Sequence, residues 1–182
     1  FYCSFPPFPS SVLFPLTFFF GSRTPDGFVL LLFDVMGVLF LYKIALRLKL
    51  SPEAAAFCAL FFTVCTNMTF VFFVPSVWFF AQSLSFSLAA GAVYYALAGK
   101  GGISLSLWSC AVGCRPMQAL YLPVLLWILF KNEKEKRPGV KGWRIIWDKI
   151  YWAALPLIIA VSYMALNYVR FGNIMEFGHN YL

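Results

Sequence analysis

Long apolar runs separated by short polar turns dominate the order of residues along the chain. The runs cover residues 28–48, 52–73, 77–98, 103–130 and 151–169. A helix of roughly 20 apolar residues crosses a hydrocarbon core about 30 Å thick, so the pattern predicts membrane-spanning helices. A further run at 9–20 is too short to span and contains Pro15. It predicts a juxtamembrane or re-entrant helix.

The run 103–130 is interrupted near its centre by Arg115-Pro116. As one straight helix it would be roughly 42 Å long at ~1.5 Å per residue, which is longer than the hydrocarbon core. An arginine in the middle of a spanning helix is also costly, whereas a proline is well tolerated in the first turn of a new helix. We therefore expect two shorter helices, 103–114 and 117–130, with Arg115 at the turn between them.

Turn and capping residues mark several other boundaries. Ser51-Pro52-Glu53 has the N-cap, first-turn proline and early acid of a helix start. Pro75-Ser76 separates two runs, and Pro156 lies early in the last one, where a proline costs least. Residues 131–149 are polar and are expected to form a loop.

Composition places these helices in a membrane, because 62% of the residues are hydrophobic and only 12% are charged. The predicted fold class is an all-α membrane protein, a polytopic transmembrane helical bundle with about six crossings and a short juxtamembrane helix. We expect residues 1–27 to be the end of an outer loop with that helix, 28–170 the bundle, and 171–182 the start of another outer loop. The chain is expected to be an internal fragment of a longer protein.

The distribution of charge predicts an orientation. Loop 131–149 holds seven basic and three acidic residues, turn 43–51 is basic, and turn 99–102 carries Lys100. Basic loops lie in the cytoplasm. If 103–130 crosses the membrane twice, all three basic loops lie on the cytoplasmic side. A single crossing would put loops 99–102 and 131–149 on opposite sides. Arg115 then faces outward with 1–27, 74–76 and 170–182. Because such clusters set membrane orientation, the net charge of +7 does not indicate a nucleic-acid partner.

Two charged residues in apolar runs are candidates for a functional site. Arg115 could hold a lipid phosphate through two hydrogen bonds, or it could contact headgroups or a carboxylate of another protein. Asp34 lies about two turns inside the first spanning helix. It could pair with Arg115, line a wet cleft, or be a neutral acid hydrogen-bonded to a neighbouring helix.

Further candidates lie near the two ends of the chain. They are expected to line a cleft or a substrate loop: Tyr2, Arg170, Glu176 and His179. Arg170 and Glu176 could pair, and His179 is the single histidine, a weak candidate for a general base. Four of the five cysteines lie inside apolar runs, and we expect them to pack in the membrane. No cofactor is assigned. A divalent metal is possible, although the sequence shows no set of ligands for one.

Three segments resemble a known family of enzymes. They are F-P-P-F-P-S-S-V-L-F-P-L (5–16), G-C-R-P-M-Q-A-L-Y-L-P (113–123) and N-Y-V-R-F-G-N-I-M-E-F-G-H-N-Y-L (167–182). They are similar to the bacterial members of the dolichyl-phosphate-mannose protein mannosyltransferase superfamily, which are GT-C-fold glycosyltransferases related to the lipid A aminoarabinose transferase. The motifs are short, and they carry no information on the sugar.

The resemblance implies roles for some residues. Arg115 matches the cation between two short helices that contacts the phosphate of a polyprenyl-linked sugar. The general base of the family is an aspartate early in the first outer loop, which would precede Phe1, so no catalytic residue is expected in residues 1–182. The acid that many relatives carry in the second outer loop has no counterpart in Val74-Pro75-Ser76, and Asp34 matches no role in the family.

The resulting functional prediction is a glycosyltransferase of the bacterial inner membrane with an extracytoplasmic active site. It would transfer a sugar, with inversion, from a polyprenyl-phosphate donor to a hydroxyl of a lipid, glycan or protein. Residues 1–182 alone are expected to be inactive without the upstream aspartate. The alternatives are a transporter or flippase for lipid-linked glycans, which a repeat of broken helices would favour, and a non-catalytic assembly subunit.

Overall fold

Every regular element that the computed structural model describes, over residues 7–74 and 76–174, is a helix. The helices are α1 (Pro7–Phe20), α2 (Asp26–Arg47), α3 (Pro52–Val64), α4 (Met68–Phe73), α5 (Val77–Leu97), α6 (Gly101–Cys114), α7 (Leu122–Lys136), α8 (Gly142–Asp148) and α9 (Ala154–Phe171). Short 3₁₀ helices occupy Gly21–Arg23, Pro116–Tyr121 and Ile150–Ala153. The all-α prediction is confirmed for this part of the chain.

Three of the described segments are long and apolar enough to cross a membrane: Asp26–Arg47, Val77–Leu97 and Ile150–Phe171. Large apolar side chains also cover the outside of the bundle, and Phe19 and Val169 are among the most exposed. A soluble monomer rarely exposes so much contiguous apolar surface. These features are those of a helical membrane protein.

Helix α5 lies at the centre, between α2 and α6. It runs parallel to α2, where Ser87 donates a hydrogen bond to the carbonyl of Phe33 and the ring of Phe40 lies against Gly91. It runs antiparallel to α6, where Ser104 donates to the carbonyl of Ala92 at 2.7 Å. Small residues at these contacts let the helix backbones approach closely, as is usual between membrane helices.

The segment 150–171, which is a 3₁₀ turn followed by α9, packs along α6 through two contacts between an aromatic ring and a glycine. Trp152 lies on Gly101 at the start of α6, and Tyr163 lies on Gly113 near its end. A Cβ atom at Gly113 would come within 2.1 Å of the Tyr163 hydroxyl. Both glycines are therefore required by packing, and the two helices run in the same direction.

The three basic loops meet at one end of the bundle. Arg47, Gly99 and Lys136 line one cavity of about 310 Å³, and the amide of Asn132 donates to the carbonyl of Ala96 at 2.9 Å. We call this the basic end. The end where α5 begins and α6 finishes, next to Arg115, is called the arginine end. The loops predicted to share one side of the membrane thus share one end of the fold.

Several predicted boundaries are correct. Helix α6 ends at Cys114, the first helix covers the short run with Pro15, and α3 begins at Pro52. The Ser51 hydroxyl accepts a hydrogen bond from the Ala54 amide at 3.2 Å, as expected of an N-cap.

Three predicted boundaries are wrong. The run 52–73 is two helices rather than one, with a break at residues 65–67. The predicted helix 117–130 begins as the 3₁₀ turn 116–121, and α7 then continues to Lys136. The predicted loop 131–149 therefore contains the end of α7 and all of α8. Pairing between charged residues, described below, keeps this polar segment helical.

Candidate ligand site at two helix breaks

The backbone at Arg115 follows from the proline that comes after it. A residue that precedes proline is driven out of the helical region, and Arg115 is extended (φ −144°, ψ 110°). Its amide still closes the last turn of α6 by donating to Ala111 at 2.9 Å. The indole of Trp108 donates to the carbonyl of Gln118 at 2.9 Å and holds the following 3₁₀ turn against α6. The predicted break at Arg115 is confirmed.

The Arg115 side chain is held in place but is not neutralised. Its Nη2 donates to the backbone carbonyl of Trp78 at 2.9 Å, and its Cζ lies 5.4 Å from the centre of the Trp78 ring. Its Nε is buried and has no hydrogen-bond partner within the described residues. No carboxylate in that part of the chain forms an ion pair with Arg115. An arginine so placed can accept an anion through its remaining N–H groups.

Arg115 lines a groove of about 500 Å³ at the arginine end. The other lining residues come from α3, α4, α5 and the break between α3 and α4: Phe62, Thr66, Asn67, Met68, Val71, Phe79 and Gln82. The groove therefore combines apolar walls, two side-chain amides, one hydroxyl and one cation. Ligand sites of this composition use a few polar groups to orient a largely apolar ligand. An amphiphile with an anionic group fits it best.

The break between α3 and α4 was not predicted, although it supplies part of this groove. The Thr66 hydroxyl donates to the carbonyl of Phe62 at 2.6 Å, and the Thr69 hydroxyl donates to that of Thr63 at 2.7 Å. Threonine and asparagine side chains compete with the helix for backbone hydrogen bonds. The cluster Thr63, Thr66, Asn67 and Thr69 inside an apolar run was therefore the signal that sequence analysis missed.

Asp34 lies away from this groove, and it does not pair with Arg115. Its side chain is buried between α2 and α5, only 2% exposed, and lies beside the Ser83 hydroxyl. Neither carboxylate oxygen of Asp34 has a hydrogen-bond partner within the described residues. Arg115 instead donates to the carbonyl of Trp78, which is five residues before Ser83 and so about 7.5 Å nearer the start of α5 at ~1.5 Å per residue. Of the three alternatives for Asp34, the pair with Arg115 is not found among the described residues. Burial of the side chain does not fit a position in a wet cleft, and the alternative of a neutral acid beside a neighbouring helix stays a prediction.

The remaining candidates are only partly described. Arg170 lies in the last turn of α9, with its Cζ 4.8 Å from the centre of the Phe171 ring. Tyr2, Glu176 and His179 lie outside the described residues, so the expected pair of Arg170 with Glu176 stays a prediction. Over 7–74 and 76–174, no group of three His, Cys, Asp or Glu residues could hold a metal ion.

A second buried charge, which sequence analysis missed, lies at the basic end. The side chain of Glu133 is 5% exposed, and its two carboxylate oxygens bind Lys136 Nζ at 3.0 Å and Lys149 Nζ at 3.1 Å. Burial by itself would raise the pKa of Glu133, but the hydrogen bonds and positive charges of these lysines hold it below its ordinary value. Glu133 is therefore a satisfied charge that joins α7 to the segment after α8.

Comparisons with protein families, with curated proteins and with solved structures find no match for this chain. Any function assigned to it therefore depends on the geometry of its own residues.

Proposed function

We propose that the protein is a membrane glycosyltransferase that moves a sugar from a polyprenyl-phosphate donor to an acceptor hydroxyl on the extracytoplasmic face. The observation that carries the proposal is Arg115, a fixed cation whose buried Nε has no partner in the described structure and which lines the groove at the arginine end. A cation so positioned would stabilise the charge that develops on the departing polyprenyl phosphate.

The shape of the groove supports the same class of ligand. The rings of Phe62 and Phe79 give it apolar surface for the lipid part of the donor. Asn67 and Gln82 offer both donors and acceptors, which suit the hydroxyl groups of a sugar. In this proposal the donor phosphate contacts Arg115, and the sugar lies toward the α3–α4 break.

We further propose a topology of six crossings in the bacterial inner membrane. The crossings are α2, α3 with α4, α5, α6, residues 116–130, and the segment 150–171. The basic end then faces the cytoplasm by the positive-inside rule, and Arg115 faces outward. The joining of the three basic loops at one end supports this arrangement.

Cysteine labelling tests the topology. Single cysteines at Arg137 and Ser22, in a cysteine-free background, are treated on intact cells with a membrane-impermeant maleimide. We expect labelling at Ser22, which lies at the arginine end after α1, and protection at Arg137. The reverse pattern would contradict the proposed orientation.

Turnover by the full-length protein tests the chemistry. Arg115→Ala should lower turnover with polyprenyl-phosphate sugars by about 100-fold or more, the usual effect of removing such a contact. Arg115→Lys should keep a measurable part, because the charge survives without the two-pronged geometry. Arg23→Ala, which removes an exposed arginine between α1 and α2, serves as the matched control. Normal turnover by Arg115→Ala at equal protein level would exclude the phosphate contact.

A transporter or flippase for lipid-linked glycans is the second candidate. The observation that favours it is the second broken helix, because α3–α4 and α6 both break beside the same groove. Discontinuous helices around a polar site are typical of transporters. Proteoliposomes with a fluorescent polyprenyl-phosphate sugar separate the two functions. A new glycosidic bond indicates a transferase, whereas movement of the unchanged lipid between leaflets indicates a transporter.

A further inference from the structure

Helix α8 presents three different faces, which give it the character of an interfacial helix. Ile145 is buried against the bundle, whereas Trp143, Ile146 and Trp147 are each about three-fifths exposed on the other side. Arg144 and Asp148 lie between the buried and the exposed apolar faces of the helix. Asp148 forms an ion pair with Arg137. A short helix with exposed tryptophan and isoleucine beside a polar face lies in the plane of a membrane surface.

An apolar pocket of about 490 Å³ lies beside this helix. Its walls come from α7, α8 and the 3₁₀ turn that precedes α9, and Leu126, Phe130, Ile145 and Ile150 are among them. The ion pair of Glu133 with Lys149 supplies its charged lining. The pocket is therefore apolar over most of its surface and has a single polar edge, which is the shape that an acyl chain requires.

Positive charge is in excess around the pocket. Each acidic residue of segment 131–149 already has a partner: Glu133 binds Lys136 and Lys149, Glu135 lies 4.0 Å from Lys131, and Asp148 binds Arg137. Three further cations of the segment are exposed and form no ion pair in the described part of the chain: Lys134, Lys141 and Arg144.

Two of these excess cations border α8 and the pocket. Lys141 is the residue before α8, and Arg144 precedes Ile145, which lines the pocket. The Arg144 amide donates to the Lys141 carbonyl at 3.0 Å, so the two residues lie one turn apart at the start of α8. The two charges can therefore act on one anionic group.

We propose that the surface formed by α8, the end of α7 and residues 150–153 binds an anionic phospholipid of the surrounding leaflet. One acyl chain occupies the apolar pocket, and the headgroup phosphate contacts Lys141 and Arg144. Trp143 and Trp147 lie at the level of the headgroups, where such rings are enriched. Charge complementarity selects the anionic lipid, because a zwitterionic headgroup carries no net charge to neutralise the excess cations. The proposal does not depend on the transferase or transporter assignment.

Tryptophan quenching by brominated lipids tests the proposal, because Trp127 and Trp152 both line the pocket. The full-length protein is placed in phosphatidylcholine bilayers that contain either brominated phosphatidylglycerol or brominated phosphatidylcholine at the same mole fraction. We expect phosphatidylglycerol to quench several-fold more strongly. Lys141→Ala with Arg144→Ala should bring this preference close to one, because the two cations that attract the anionic headgroup are then gone.

Two matched variants make the outcome decisive. The double variant Lys43→Ala with Lys100→Ala removes the same charge from the basic end, where these lysines lie over Tyr94 and Tyr95, and it should keep the preference. The exchange Lys141→Arg with Arg144→Lys should also keep it. Equal quenching of the wild type by the two lipids would overturn the proposal. So would an unchanged preference in Lys141→Ala with Arg144→Ala, or an equal loss in the control.

Discussion

Arg115 and Glu133 are charged side chains in apolar surroundings at opposite ends of the same bundle, and the structure treats them differently. Both oxygens of Glu133 bind lysines. Arg115 donates to a single backbone carbonyl and keeps a buried Nε without a partner in the described residues. A satisfied charge contributes to the fold, whereas an unsatisfied one is costly unless a ligand completes it. Arg115, unlike the buried Asp34, also lines the groove at the arginine end. The comparison therefore favours a structural role for Glu133 and a binding role for Arg115.

The largest expected difference in stability separates Glu133→Gln from Arg115→Gln. Loss of the carboxylate leaves Lys149, whose side chain is 21% exposed, without its anion. Removing one partner of a fully buried pair costs about 3–5 kcal/mol. Because Lys136 is more than half exposed, we expect about 1–3 kcal/mol here.

Arg115→Gln should cost less than about 1 kcal/mol, because it removes one hydrogen bond and relieves an unpartnered group. Denaturant unfolding in detergent, at equal lipid content, measures both values. If the two variants lose the same free energy of unfolding, the proposed division between a structural and a binding charge fails.

The pH dependence of stability should follow from Glu133. Its pKa in the folded protein is below the ordinary value of 4.5, so the folded state binds its proton less readily than the unfolded state does. The stability from this group is therefore fully present above pH 4.5 and is lost as the pH falls through the folded pKa. The melting-temperature difference between wild type and Glu133→Gln should stay constant from pH 8 to about pH 5.5 and shrink below pH 4.5. A difference that grows on acidification would contradict this assignment.

A smaller difference should separate the two lysines of the same site. Lys149 lies 4.8 Å from the centre of the Trp152 ring and is mostly buried, whereas Lys136 is more than half exposed. Lys149→Met should therefore cost about 1–2 kcal/mol, and Lys136→Met less than about 0.5 kcal/mol. Thermal unfolding of the two variants tests this order. Equal losses would mean that burial does not decide the strength of the pair.

The same comparison explains which features the sequence could predict. The break at Arg115 depends on two adjacent residues, Arg115 and Pro116, and is readable because proline acts on its immediate neighbour. The Glu133 site depends on Lys149, and the two residues are brought together only when α7 and the following segment pack. The α3–α4 break is only partly predictable from sequence. Its threonines bind nearby backbone carbonyls, but threonines do not end every helix that contains them.

The placement of Asp34 shows the same limit. Its position in an apolar run was plain from the sequence, but its partner could not be chosen among residues of other helices. Packing of α2 on α5 puts it beside Ser83 and leaves Arg115 with Trp78. Which charge faces a groove is thus decided by tertiary contacts rather than by sequence spacing.

A small effect on stability is also expected of Asp34→Asn. Within the described structure Asp34 has no cationic partner, and an amide of nearly the same shape can occupy its site beside Ser83 without a charge to bury. We expect the free energy of unfolding to change by less than about 1 kcal/mol, and the transfer activity of the full-length protein to stay within a few-fold of wild type. Ser83→Ala is the matched control, because it removes the neighbouring hydroxyl and leaves the carboxyl. A loss of activity near that of Arg115→Ala, with stability unchanged, would contradict a structural role for Asp34. Such a result would give a third charge, buried away from the groove, a part in the reaction. The assignment of a structural role to Glu133 and of ligand binding to Arg115 alone would then fail.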